Sequence, residues 1–102
     1  MKARYLRTLA LLSGMLVAAS AVQASPALAQ SKNCLSCHGM DKKLVGPSFK
    51  EIAAKYKGKG MESKLLVKVQ KGGTGAWGAV PMPPNKVTDA EAKQLVHWIL
   101  SL

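Results

Sequence analysis

The sequence predicts an all-α domain of about four short helices. Apolar residues recur at helical spacing in separate stretches, the period-two alternation that marks strands is scarce, and clusters of glycine and proline divide the periodic stretches. A chain of 102 residues, part of it a candidate leader, also needs something larger than its own side chains to fold around. Cys34-Leu35-Ser36-Cys37-His38 says what that is. Two cysteines separated by two residues and followed at once by histidine read as a c-type haem attachment site.

The chemistry fixes that spacing. Each thiol adds to one vinyl group on neighbouring corners of the porphyrin, a short helical turn brings both sulfurs to one edge, and the His38 imidazole is placed to bind iron. Two other readings compete. A thioredoxin-type redox pair belongs in a βαβ context, for which the sequence offers little. A zinc site needs four ligands, and after Cys34, Cys37 and His38 the remaining candidate, His97, sits far off in an apolar helical run.

Taken in order, the chain opens with Lys2, Arg4 and Arg7, then the apolar run Leu9 to Val17 and a set of small residues, the layout of a secretory signal peptide. The uncharged stretch from Thr8 to Val22 has fifteen residues, short of the roughly 20 that a bilayer span needs, so no stable membrane insertion is expected. Small-x-small cleavage sites end at Ala24 and at Ala29. Cleavage after Ala24 keeps Ser25-Pro26 as a helix N-cap with proline at the first helical position and leaves a helix from Pro26 to about Ser36 that delivers the attachment site. Residues 1–24 are therefore read as a leader for export through the Sec pathway to the periplasm, with Ala29 the alternative boundary, and residues 25–102 as one domain.

Removing 24 of the 102 residues leaves 78, with twelve lysines, no arginine and five acids, a formal charge of +7. Two ionised haem propionates bring that to about +5. Such a balance favours solubility and acidic partners. Nucleic-acid binding is disfavoured, because no arginine is left for base recognition and aromatics are few.

Past His38, residues 39–47 have turn chemistry and no helical period, so they read as a loop. Ser48 and Glu51 form a capping-box pattern ahead of a face made by Phe49, Ile52, Ala53 and Tyr56, which Gly58 and Gly60 end. From Glu62 to Lys71, Leu65, Leu66 and Val69 share a side, and Gly72-Gly73 stops the stretch. Thr74 to Asn85 holds two glycines and three prolines and is expected to be irregular. Thr88 and Glu91 form a second capping box, before a stripe of Ala92, Leu95, Val96, Ile99 and Leu102.

The irregular segment contains Pro81-Met82-Pro83-Pro84. A methionine sulfur opposite histidine closes the iron and favours electron transfer over oxygen chemistry. Met82 is the best candidate, since flanking prolines stiffen its backbone. Met40 follows His38 too closely to reach the other face, while Met61, at a helix entrance, remains a rival.

Through these motifs the chain resembles the class I cytochromes c, most closely the small bacterial cytochromes c-551, also called c8. The resemblance covers Ser25 to Leu102 and rests on Cys34-Leu35-Ser36-Cys37-His38, Val45-Gly46-Pro47, Trp77-Gly78, Pro81-Met82-Pro83-Pro84-Asn85 and the Trp98-bearing last helix. It implies the class I fold, short helices wrapped around one covalent haem c, with His38 and Met82 as axial ligands. It further implies that the Pro47 carbonyl accepts from the free His38 ring nitrogen, that Trp77 donates to a haem propionate and that Asn85 lies near the Met82 sulfur. Close relatives often carry arginine where this chain has Lys68, a flexible point charge rather than a planar fork. The function implied is a soluble monomeric one-electron carrier, not an enzyme. Acidic redox proteins such as an oxidase, nitrite reductase, reaction centre or peroxidase would suit it as partners; Lys32, Lys43 and Lys86, next in sequence to the attachment segment and the Met82 loop, are read from that adjacency, not from the resemblance, as a ring of docking charges. A haem protein with an open iron site for small-molecule reduction or gas sensing is the alternative.

Overall fold

The computed structural model describes Gly14 and residues 25–102; the expected leader, residues 1–24, otherwise lies outside the described residues. Among the described residues, four helices, α1 (Ser25–Ser31), α2 (Phe49–Tyr56), α3 (Glu62–Lys71) and α4 (Asp89–Leu100), are joined by loops, with one 3-10 turn at Cys34–Ser36. No strand occurs among the described residues; the only β-type pairings there are the isolated bridges His38 with Lys43 and Gly73 with Met82. The all-α expectation is met.

The last helix is the centre of the packing, touching α1, α2 and α3. Its buried residues Ala92, Leu95, Val96 and Ile99 are the stripe expected from the sequence. They meet Leu28 and Ala29 of α1 and Phe49 and Ala53 of α2 in a small core. Burial of each larger side chain stabilises by about 1.5–3 kcal/mol. The third helix buries no residue fully; its Leu65 and Val69 instead form part of a cleft wall.

Both capping boxes form, Ser48 with Glu51 and Thr88 with Glu91, each with hydroxyl accepting from backbone and carboxylate accepting in return. They start α2 and α4 at the expected residues. The first helix departs from expectation, ending at Ser31 rather than continuing to about Ser36. Asn33 adopts a left-handed conformation, with φ of 60°, which asparagine tolerates better than most residues. A 3-10 turn follows. Because residues three apart eclipse in that geometry, the break sets Cys34 and Cys37 on one side. The Ser25 hydroxyl donates to Gln94 O of α4 at 3.1 Å, tethering α1 across the core.

Candidate haem site

Beneath the core lies a cleft with Cys34, Cys37 and His38 at one part of its lining and Met82 at another. The attachment segment is braced by a loop that folds back on it: Gly46 N–H donates to Cys37 O at 2.8 Å, and Phe49 N–H donates to Gly39 O at 2.8 Å. Burial pushes the Cys34 thiol above its ordinary pKa, against a backbone hydrogen bond that lowers it, and the neighbouring Cys37 adds to the rise.

Three contacts fix the His38 ring. Its Nδ1 lies 2.7 Å from Pro47 O. A carbonyl can only accept, so Nδ1 carries the proton and Nε2 keeps its lone pair. Phe49 stacks on the imidazole at 5.3 Å between centroids, and is itself met edge-on by Trp98 at 5.2 Å. Gly46 packs so close that a Cβ there would stand 2.8 Å from His38 Cε1.

Met82 is held by its backbone. Met82 N–H donates to Gly73 O at 2.8 Å and Gly73 N–H returns to Met82 O at 2.9 Å. The chain approaches closely here at Gly72, whose φ is 68° and where a Cβ would come within 2.1 Å of Met82 O. Only glycine accommodates both conditions. Of the rival methionines, Met61 and Met40 are not among the residues lining the cleft.

The remaining residues singled out in the sequence divide. Lys68, Trp77 and Lys43 line the cleft. The Asn85 amide, which the resemblance placed near the Met82 sulfur, donates its two protons to Val69 O at 2.9 Å and Pro83 O at 3.4 Å, so it ties the proline turn to α3. Lys32 pairs with Glu91 at 3.5 Å, bracing the end of α1 against α4. Lys86 is exposed and outside the cleft lining.

Phe49 and the packing role of Gly46 were missed as site features. Phe49 was legible only as one member of a helical face, and Gly46 only as part of the Val45-Gly46-Pro47 motif. Among the described residues no group of three or more His, Cys, Asp or Glu side chains could hold a metal ion by themselves, which leaves the zinc reading without support.

These residues fit a haem. Two thiols sit three residues apart on one turn, an imidazole has one nitrogen committed and one free, a thioether arrives from a distant segment, and Ile52, Leu65, Val69 and Leu95 make the walls apolar. Comparison with known proteins agrees. Residues 22–102 match the sequence profile of the family described as Cytochrome c. Cytochrome c-551 of Azotobacter vinelandii is 53% identical over 75 residues, covering 72% of this chain and 92% of that protein. Cytochrome c-552 of Nitrosomonas europaea is 48% identical over 104 residues, covering 100% and 99%. The crystal structure of wild-type Nitrosomonas europaea cytochrome c552 superposes with a TM-score of 0.72 at 47% identity, covering 76% of this chain and 98% of that one. No helix among the described residues is long and apolar enough to cross a membrane. With the fold, the haem-fitting cleft and these relatives in agreement, the chain belongs to the cytochrome c family, as a class I small bacterial cytochrome with one covalently attached haem c that serves as an electron carrier.

Proposed function

We propose that Cys34 and Cys37 form the two thioethers, that His38 Nε2 and the Met82 sulfur are the axial ligands, and that the domain shuttles single electrons between periplasmic partners without making or breaking a substrate bond. The observation that carries this reading is the convergence of His38 and Met82, from distant segments, on one apolar cleft. Haem c, when bound, supplies an iron that passes between Fe(II) and Fe(III). The chain's task is to keep both ligands in place through that change. Pro47 fixes the His38 tautomer and stops the ring turning, which also strengthens Nε2 as a donor. The paired backbone of Gly73 and Met82 and the flanking prolines present the sulfur with little ordering cost. Apolar walls keep water away from the metal. Trp77, at the cleft mouth, is suited to donate its indole N–H to a propionate, and Lys68 to balance that charge.

The oxidised protein should have a sulfur-to-iron charge-transfer band, and Met82→Ala should abolish it while admitting carbon monoxide to the reduced iron. A wild-type spectrum without that band would favour the open-site alternative.

Export to the periplasm follows from the leader of residues 1–24. Cleavage after Ala24 is favoured over cleavage after Ala29, because the latter would remove the buried Leu28 and Ala29 from the core. Docking is proposed at the cleft mouth, where exposed Val45 and Val80 line the same cleft as Lys43, with Lys86 as an additional charge; Lys32 is already engaged by Glu91. Acidic redox proteins suit this surface. Transfer to such a partner should slow as salt rises, and further with Lys43→Glu or Lys86→Glu; rates indifferent to salt would remove the docking proposal.

A further inference from the structure

Residues 74–80 carry Trp77 to the mouth of the cleft and lead directly into Pro81-Met82, yet every one of them is exposed. Their own bonding is thin. Gly75 N–H donates to Gly78 O at 3.0 Å, and the next anchor is the Gly73 pairing with Met82. A segment with no buried side chain and one internal hydrogen bond opens easily unless something outside it holds it.

That hold comes from α2. The Lys55 ammonium donates to Ala76 O at 3.2 Å and stands 4.4 Å from the centre of the Trp77 ring and 5.3 Å from that of Tyr56. The two rings meet edge to face at 6.2 Å. One cation therefore engages the backbone of the loop, the aromatic side chain the loop presents, and the aromatic residue next to it on its own helix. The ammonium satisfies the Ala76 carbonyl and lies within reach of both electron-rich rings, an arrangement a neutral side chain cannot reproduce.

We propose that Lys55 is a positioning residue for the haem-cleft wall: it clamps the segment bearing Trp77 to α2 and thereby steadies the approach to Met82. Its consequence for the iron rests on the reading of Met82 as axial ligand; its hold on the loop does not. Loss of the clamp lets the wall open and admits water, which stabilises the more highly charged Fe(III) and lowers the midpoint potential. Removing a nearby cation acts in the same direction.

The test uses the haem-loaded protein. Hydrogen exchange at the Gly75 amide is followed by NMR, and the midpoint potential is measured by titration. Lys55→Ala is expected to speed Gly75 exchange about tenfold and to lower the potential, while Lys55→Arg, which keeps a cation and donors, restores both. Lys59→Ala removes the same charge from an exposed position on the turn after α2 and is expected to leave Gly75 exchange unchanged. Gly75 exchange in Lys55→Ala within twofold of wild type would overturn the proposal, as would an equal potential shift in Lys59→Ala. A wild-type spectrum without the sulfur-to-iron band would instead defeat the Met82 reading, and the exchange measurement would still decide the role of Lys55.

Discussion

At the scale of single residues, His38 is over-determined: one ring nitrogen is spent on Pro47 O, one face is covered by Phe49, and Gly46 leaves no room for a methyl group. Gly46→Ala tests that confinement. The new Cβ would have to displace the imidazole, weakening the bond to Pro47 O and with it the electron donation that favours Fe(III). The midpoint potential should rise, and thermal unfolding should show a loss of about 1–3 kcal/mol, the usual penalty for overpacking. An unchanged potential would show that the ring tolerates movement. The contrast between His38 and its supports explains what could be read in advance. Cys34, Cys37, His38 and Met82 stand out in the sequence because bond-forming chemistry fixes their spacing or their flanking residues. Phe49, Gly46 and Lys55 act only through where the fold brings them, and the amide of Asn85 found carbonyl acceptors that a linear pattern does not reveal.

At the scale of elements, the start of α4 joins a capping box to an ion pair. Thr88 N–H donates to Glu91 Oε1 at 2.9 Å, Glu91 N–H donates to Thr88 Oγ1 at 3.1 Å, and Lys32 approaches the same carboxylate. The Thr88 backbone bond holds the Glu91 pKa below the ordinary carboxylate value, with desolvation opposing it and Lys32 adding to the lowering. A depressed folded-state pKa gives stability that is present above the unfolded value and lost as pH falls through the folded one. Holoprotein melting should therefore lose this contribution on acidification below the ordinary carboxylate range, and Glu91→Gln should flatten that part of the profile. Thr88→Ala should cost about 1 kcal/mol at neutral pH, read as a lowered Tm. These local devices are also why three helices were legible in detail: α2 and α4 begin at capping boxes, and α3 ends at Gly72. The end of α1 was not legible, since a left-handed asparagine has no such signature and the periodic pattern runs on past it.

At the scale of the whole molecule, the question is what holds four short helices together. Among the described residues the buried hydrophobic core has eight side chains, three of them alanines, and a domain of this size has little core to spare against chain entropy. Leu95, Val96 and Ile99 of α4 form part of the cleft lining, so the central helix relies on whatever fills the cleft as well as on its neighbours. Val45, Val80 and Trp77 lie along the same cleft while remaining 54%, 64% and 41% exposed, apolar surface that the helices alone leave uncovered. Held through Cys34 and Cys37 as proposed, the haem would complete the core as well as carry the electron, and its two covalent links would tie the segment after α1 to the rest of the fold. Replacing both attachment cysteines, Cys34→Ser with Cys37→Ser, should yield a haem-free chain that loses most of its far-ultraviolet helix signal and melts without a cooperative transition. The caps and the contacts of α4 with α1 would still be encoded, so the experiment weighs them directly against the missing ring. Cooperative melting of the haem-free chain near the holoprotein Tm would mean that the packing around α4 suffices, and that the cofactor serves electron transfer without serving the fold.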